Sequence, residues 1–192
     1  MSKEREELVV RQLQDSIATK ERFKAQAPKV VALADQMVAA FQRGNKVLIF
    51  GNGGSAADAQ HIAAELTGKF LKWRTALPVM ALTTNTSEIT ALGNDLPSFD
   101  QVFERLVEAH AKPGDIVIGI STSGNSPNVL RAIAMAKKKG ATTVAWCGEG
   151  GKLSGEVDLA LAVPSKDTQR IQECHIAMGH ILCGLVESRM FP

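Results

Sequence analysis

The chain has 192 residues, with 22 Lys+Arg against 20 Asp+Glu, so its formal net charge is +2. That length fits a single domain over 1–192 and buries roughly 70% of the unfolded surface, so folding requires no disulfide or structural metal. A composition of 45% hydrophobic and 22% charged residues excludes a disordered chain, and the near-even charge gives no reason to expect nucleic acid or an anionic membrane as partner.

Residues 3–43 carry two helical patterns, set apart from an α/β core over 45–192. In the first, Leu8, Val9, Leu13 and Ile17 recur among charges and give a long amphipathic helix an apolar stripe. The stripe is open to two fates, packing on another subunit or on the chain's own core. After a break around Pro28, Val30, Val31, Leu33, Ala34, Met37, Val38 and Phe41 form a broader apolar face that stops at Gly44. This second helix is expected to be the more deeply buried.

From residue 46 short apolar runs alternate with helical stretches. Strands are expected at 47–50, 78–82, 116–120, 142–147 and 159–163, mostly apolar throughout, as strands buried on both faces are. Helices are expected at about 55–70, 98–110, 127–138 and 167–189. The alternation specifies an α/β fold, a parallel sheet flanked by helices, whose ligands bind beyond the carboxyl ends of the strands. The Gly-Glu-Gly-Gly turn at 148–151 reads as a flexible connection. The charged start lacks the apolar core of a signal peptide, and no apolar run approaches the ~20 residues that span a bilayer. Cys147, Cys174 and Cys183 form no C-x-x-C pair. A soluble, cytoplasmic chain without a disulfide framework or Cys-based zinc site is expected.

Two loops have the chemistry of a phosphate site. The first strand ends in Gly51-Asn52-Gly53-Gly54-Ser55 and the third in Ser121-Thr122-Ser123-Gly124-Asn125-Ser126, each running into a helix. Glycine lets the backbone approach a ligand, free N–H groups at a helix start favour an anion, and hydroxyls add neutral donors. One such loop is as easily a plain turn; two at strand-to-helix junctions point to a ligand. Neither contains Lys or Arg, which suits a monophosphate better than a triphosphate with magnesium. The P-loop pattern is absent. Gly51, Gly53 and Ala56 do satisfy the dinucleotide pattern G-x-G-x-x-A, but the acidic residue expected after the second strand is replaced by Thr83-Thr84-Asn85.

The helices add a second constellation. His61 and Glu65 are four apart and share a face, while Gln172 and His180 on the last helix lie eight apart, about 80° around it. Imidazole, carboxylate and amide oxygen make a mixed shell for zinc or a similar divalent ion. A His/Glu pair at this spacing is also an ordinary surface contact, so spacing alone leaves the role open. His110, in a polar stretch, is expected at the surface.

Together, G-N-G-G-S-A-A-D-A-Q-H-x-A-x-E-L from Gly51, G-N-D at 93–95, G-I-S-T-S-G-N-S at 119–126 and R-I-Q-E-x-H at 170–175 resemble the sugar isomerase (SIS) domain family, in its phosphoheptose isomerase branch. The resemblance covers nearly the whole chain. It implies a five-stranded parallel sheet sandwiched by helices (flavodoxin-like or Rossmann-like), with the N-terminal helices over 1–44 at the interfaces of a homotetramer and active sites shared between subunits. It implies an aldose–ketose isomerase that interconverts sedoheptulose 7-phosphate and D-glycero-D-manno-heptose 7-phosphate, supplying heptose for bacterial surface glycans. Carried over, Ser55, Ser121, Thr122, Ser123 and Ser126 would hold the phosphate, and Asn52, Gly53, Gly54, Asn94 and Asp95 would line the sugar. His61, Glu65, Gln172 and His180 would bind zinc, with Glu65 and Gln172 also touching substrate and Glu65 and His180 moving protons. One departure is visible: many relatives have Asp where this chain has Asn85. Some SIS relatives bind phosphosugars or proteins without catalysis, including a regulator of replication initiation, and that reading is the alternative to an enzyme.

Overall fold

The computed structural model describes residues 2–192. Helix α1 (Ser2–Phe23) passes through a single 3-10 turn at Lys24–Gln26 into α2 (Ala27–Gln42), with Pro28 in the first turn of α2, where a missing N–H costs nothing. The core follows as β1 (Val47–Gly51), α3 (Gly54–Thr67), β2 (Val79–Ala81), α4 (Thr86–Asp95), α5 (Val102–His110), β3 (Ile116–Ser121), α6 (Pro127–Lys138), β4 (Thr142–Gly148), β5 (Leu159–Val163) and α7 (Thr168–Met190). The five strands form one parallel sheet in the order β2-β1-β3-β4-β5. The expected α/β fold is borne out, strand by strand.

Both faces of the sheet are covered, which is why the strands read as unbroken apolar runs. On one face Ile49, Ile118 and Trp146 pack with Leu33 and Met37 of α2, Ile62 and Leu66 of α3, and Met178 and Leu182 of α7. On the other, Leu48, Phe50 and Val117 pack with Phe103 and Val107 of α5 and Ile133 of α6. Strand order reverses between β1 and β3, where Gly51 stands opposite Ile120. A crevice opens at such a switch point, because the chain leaves the two strands toward opposite faces. Both glycine- and serine-rich loops begin there.

Two features differ from the sequence reading. Helix α4 was not expected: its Ile89 and Leu92 are only partly buried, so no strong apolar stripe marks it. Its signal is a cap, since Asn85 Oδ1 accepts the Glu88 N–H at 3.2 Å. Asn and Asp cap equally well, so Asn85 meets the local need as Asp would. The turn at 148–151 is not loose. Gly148 N–H donates to Thr122 O, and the Leu153 N–H donates to Gly124 O, so this segment braces the serine loop.

Helix α2 is the more deeply buried of the N-terminal pair. Along α1, Leu8, Val9, Leu13 and Ile17 are between 49% and 62% exposed. The stripe is thus not packed on the chain's own core. Helix α1 is tied to α7 by Arg170, whose guanidinium donates to the Gln12 carbonyl. An apolar cavity of about 420 Å³ lies between Phe23, Val30 and Val31 and the Ala177–Ile181 side of α7, lined by hydrocarbon and lacking the polar groups a sugar requires. No helix among the described residues is long and apolar enough to cross a membrane.

Candidate active site

The glycine-rich and serine-rich loops come together at the ends of β1 and β3. Asn52 and Asn128 exchange amide hydrogen bonds at 3.0 and 2.8 Å, which ties the start of α3 to the start of α6. Ser121 Oγ lies 2.9 Å from Ser126 Oγ and 3.4 Å from Ser123 Oγ. These hydroxyls sit at the N-terminus of α6, with the N-terminus of α3 across the switch point. Both helix starts present the positive end of a dipole, which an anion prefers. Gly124 has φ +64°, and a Cβ there would lie 2.8 Å from Gly151 Cα, so the loop turns only because two glycines meet. Thr122 is half-buried and Ser55 buried, with its N–H bonded to Asn52 O.

Farther along α3, His61 and Glu65 meet His180 of α7. Ligand atoms of the three lie within 4.8 Å of one another. His61 Nε2 is 3.2 Å from Glu65 Oε1 and 3.3 Å from His180 Nε2. Two imidazole nitrogens and a carboxylate oxygen this close together make a donor set that could hold a divalent metal ion. The residues fit such an ion.

Gln172 lies at the other end of the cleft. A Cβ on Gly54 would stand 2.0 Å from Gln172 Nε2, so glycine at 54 is what lets this amide close over the glycine-rich loop. Asn94 and Asp95 bond to each other at 2.8 Å on the exposed end of α4 and make no hydrogen bond to either loop among the described residues.

Sequence reasoning missed two neighbours of these groups. Asn128 follows the serine motif by two residues, and only its cross-chain pairing with Asn52 reveals it. Asp58 lies three residues before His61, on the same side of α3, and lines a cavity of about 330 Å³ with Gln169, Gln172 and Ile176. Its Oδ2 is buried without a hydrogen-bond partner among the described residues. Burial pushes its carboxyl up to about 6, with the nearby His61 pulling partly the other way. The helical period alone could have placed Asp58 beside His61. His175, the last letter of the final motif, is fully buried, with its Nε2 3.4 Å from Cys147 O, and burial pushes it down to about 4. It is a neutral core histidine. His110 is half-buried and lines an open cavity with Asn85 and Glu88.

Residues 12–148 match the SIS domain family. The chain is 58% identical to a phosphoheptose isomerase of Aquifex aeolicus over 162 residues, 84% of each chain. It is 51% identical to a phosphoheptose isomerase of Trichlorobacter lovleyi over 185 residues, 95% of this chain and 94% of that one. The structure of phosphoheptose isomerase from Neisseria gonorrhoeae superposes with a TM-score of 0.90 at 41% identity, covering 95% of this chain and 98% of that one. The chain therefore belongs to the SIS domain family, and within it to the phosphoheptose isomerases.

Proposed function

We propose that the chain interconverts sedoheptulose 7-phosphate and D-glycero-D-manno-heptose 7-phosphate through an enediol, in the cytoplasm, as a source of heptose for bacterial surface glycans. Its family makes it an enzyme, an aldose–ketose isomerase. The observation that carries the substrate reading is the placement of two chemistries along one helix. The phosphate loops meet the N-terminus of α3, and the His61–Glu65–His180 cluster begins six residues beyond Ser55. At 1.5 Å per residue that rise is about 9 Å, a span that an extended seven-carbon phosphosugar bridges.

In the ketose-to-aldose direction Glu65 takes the proton from C1, and the electron pair left behind becomes the C1–C2 double bond of the enediol. A proton is then returned to C2, while a hydrogen passes from O1 to O2; Glu65 and His180 are the pair placed to carry these transfers. His61, Glu65 and His180 would hold zinc or a similar ion, which would stabilise negative charge on the reacting oxygens, and Gln172 would complete the set by turning from Gly54 toward them. The hydroxyls of Ser55, Ser121, Thr122, Ser123 and Ser126 hold the phosphate, and Asn52, Gly53, Gly54, Asn94 and Asp95 line the sugar. A regulator that merely bound phosphosugars would need the loops but not the cluster.

The purified chain is expected to turn over sedoheptulose 7-phosphate, to lose that activity in a chelator and to regain it with zinc. Absence of turnover on any 7-phosphate ketose would leave a binding module. The exposed α1 stripe supports a homotetramer joined through the N-terminal helices. Sedimentation should give a mass near four chains of 20.5 kDa, and a monomer at micromolar concentration would contradict it.

A further inference from the structure

The loop from Gly68 to Thr75 carries a buried ion pair. Glu187 of α7 and Arg74 each have side chains only 2% exposed, with Arg74 Nε 3.3 Å from Glu187 Oε1. Burying two charges is costly, and the cost is offset only when hydrogen bonds satisfy the remaining valences of both. Here they do. Glu187 accepts the N–H groups of Leu71 at 2.9 Å, Lys72 at 3.1 Å and Phe70 at 3.4 Å. Arg74 donates to Glu65 O at 2.9 Å, Leu66 O at 2.6 Å and Gly68 O at 3.0 Å.

The partners of this pair are not scattered. Glu65 O and Leu66 O are among the last carbonyls of α3, which lack partners within the helix. Arg74 thus fastens the backbone of the residue whose carboxylate faces His61. Glu187 stands seven residues, two turns, beyond His180 on the same side of α7. The loop it holds sets the Phe70 ring against the His180 ring, with centroids 6.2 Å apart and planes 20° from parallel. One ion pair therefore fixes the carboxylate on α3, the imidazole on α7 and the gap between their helices.

We propose that Arg74 and Glu187 are positioning residues for the His61–Glu65–His180 cluster, a strap that sets its ligand geometry from outside. The inference rests on the reading of that cluster as a metal and proton-transfer centre. Groups behind metal ligands are typically worth 10–100-fold in metal affinity or activity.

The test uses the full chain, stripped by chelator and titrated with Co²⁺, whose visible bands report ligand geometry. Two variants are compared with the unsubstituted protein: Glu187→Gln, which keeps the size of the side chain, and Arg74→Lys, which keeps the charge but cannot span Glu187 and both carbonyls. Each should bind Co²⁺ 10–100-fold more weakly with altered bands, and each should lose kcat by a similar factor. KM for the 7-phosphate sugar should stay unchanged, because the phosphate loops are untouched. Folded variants with unaltered Co²⁺ affinity, bands and kcat would overturn the inference. If Glu187→Gln does not fold, Arg74→Lys decides; failure of both to fold would also overturn it, because the pair would then hold the fold rather than the cluster. An unsubstituted chain that bound no Co²⁺ would overturn the cluster reading itself, before any substitution is compared.

Discussion

Glu65→Gln is expected to lower turnover by at least about 100-fold while the protein still binds a 7-phosphate sugar. The substitution keeps size and polarity but removes the only carboxylate in the cluster, and general acid–base groups are usually worth 10²–10⁴-fold. His180→Gln should have a loss of the same order, because it removes the imidazole 3.3 Å from His61 that is proposed to share the proton transfers. Steady-state kinetics with parallel calorimetry of ligand binding checks both. The phosphate loops lie at the far end of α3, so affinity should fall far less than kcat. Near-normal turnover in both variants would reject this assignment of the proton transfers.

Gly124→Ala should have the opposite signature. Its φ of +64° costs an L-residue about 1–2 kcal/mol, and the new Cβ would meet Gly151 Cα at 2.8 Å. Backbone cannot move aside as a flexible side chain does, so the serine loop must shift. Loss of one or two hydrogen bonds to the phosphate, at about 1.5–3 kcal/mol each, raises KM by roughly 100-fold, with kcat at saturation changing much less. Competition by inorganic phosphate should weaken in parallel. An unchanged KM would remove this loop from the site.

The parts of the fold legible in the sequence are those that burial dictates. Residues 47–50 and 116–120 are apolar throughout because helices cover both faces of the sheet, and the strands Val47–Gly51 and Ile116–Ser121 fall within a residue of those runs. Helix α4 escaped because it buries little, and a capping Asn85 is a quieter signal than a stripe. In the site, His61 and Glu65 share a visible helical face, whereas no periodicity links them to His180; the resemblance named it, and only tertiary packing brings it within reach. Asn128, Arg74 and Glu187 share one reason for being unread. Their partners are distant in the chain, with 76 residues between the Asn52–Asn128 pair and 113 between Arg74 and Glu187. A lone Arg or Asp in a sequence looks the same whether it faces water or a buried counter-charge.

The contact between His61 and His180 spans 119 residues, and α7 follows all five strands. Contacts of such separation form late, because the entropy of closing the intervening chain must be met first. During synthesis the serine-rich loop gains its brace only when residues 148–153 have emerged, and the cluster has only its α3 half until α7 docks. Helix α7, last in the chain, thus completes the cluster only after every strand of the sheet has been made.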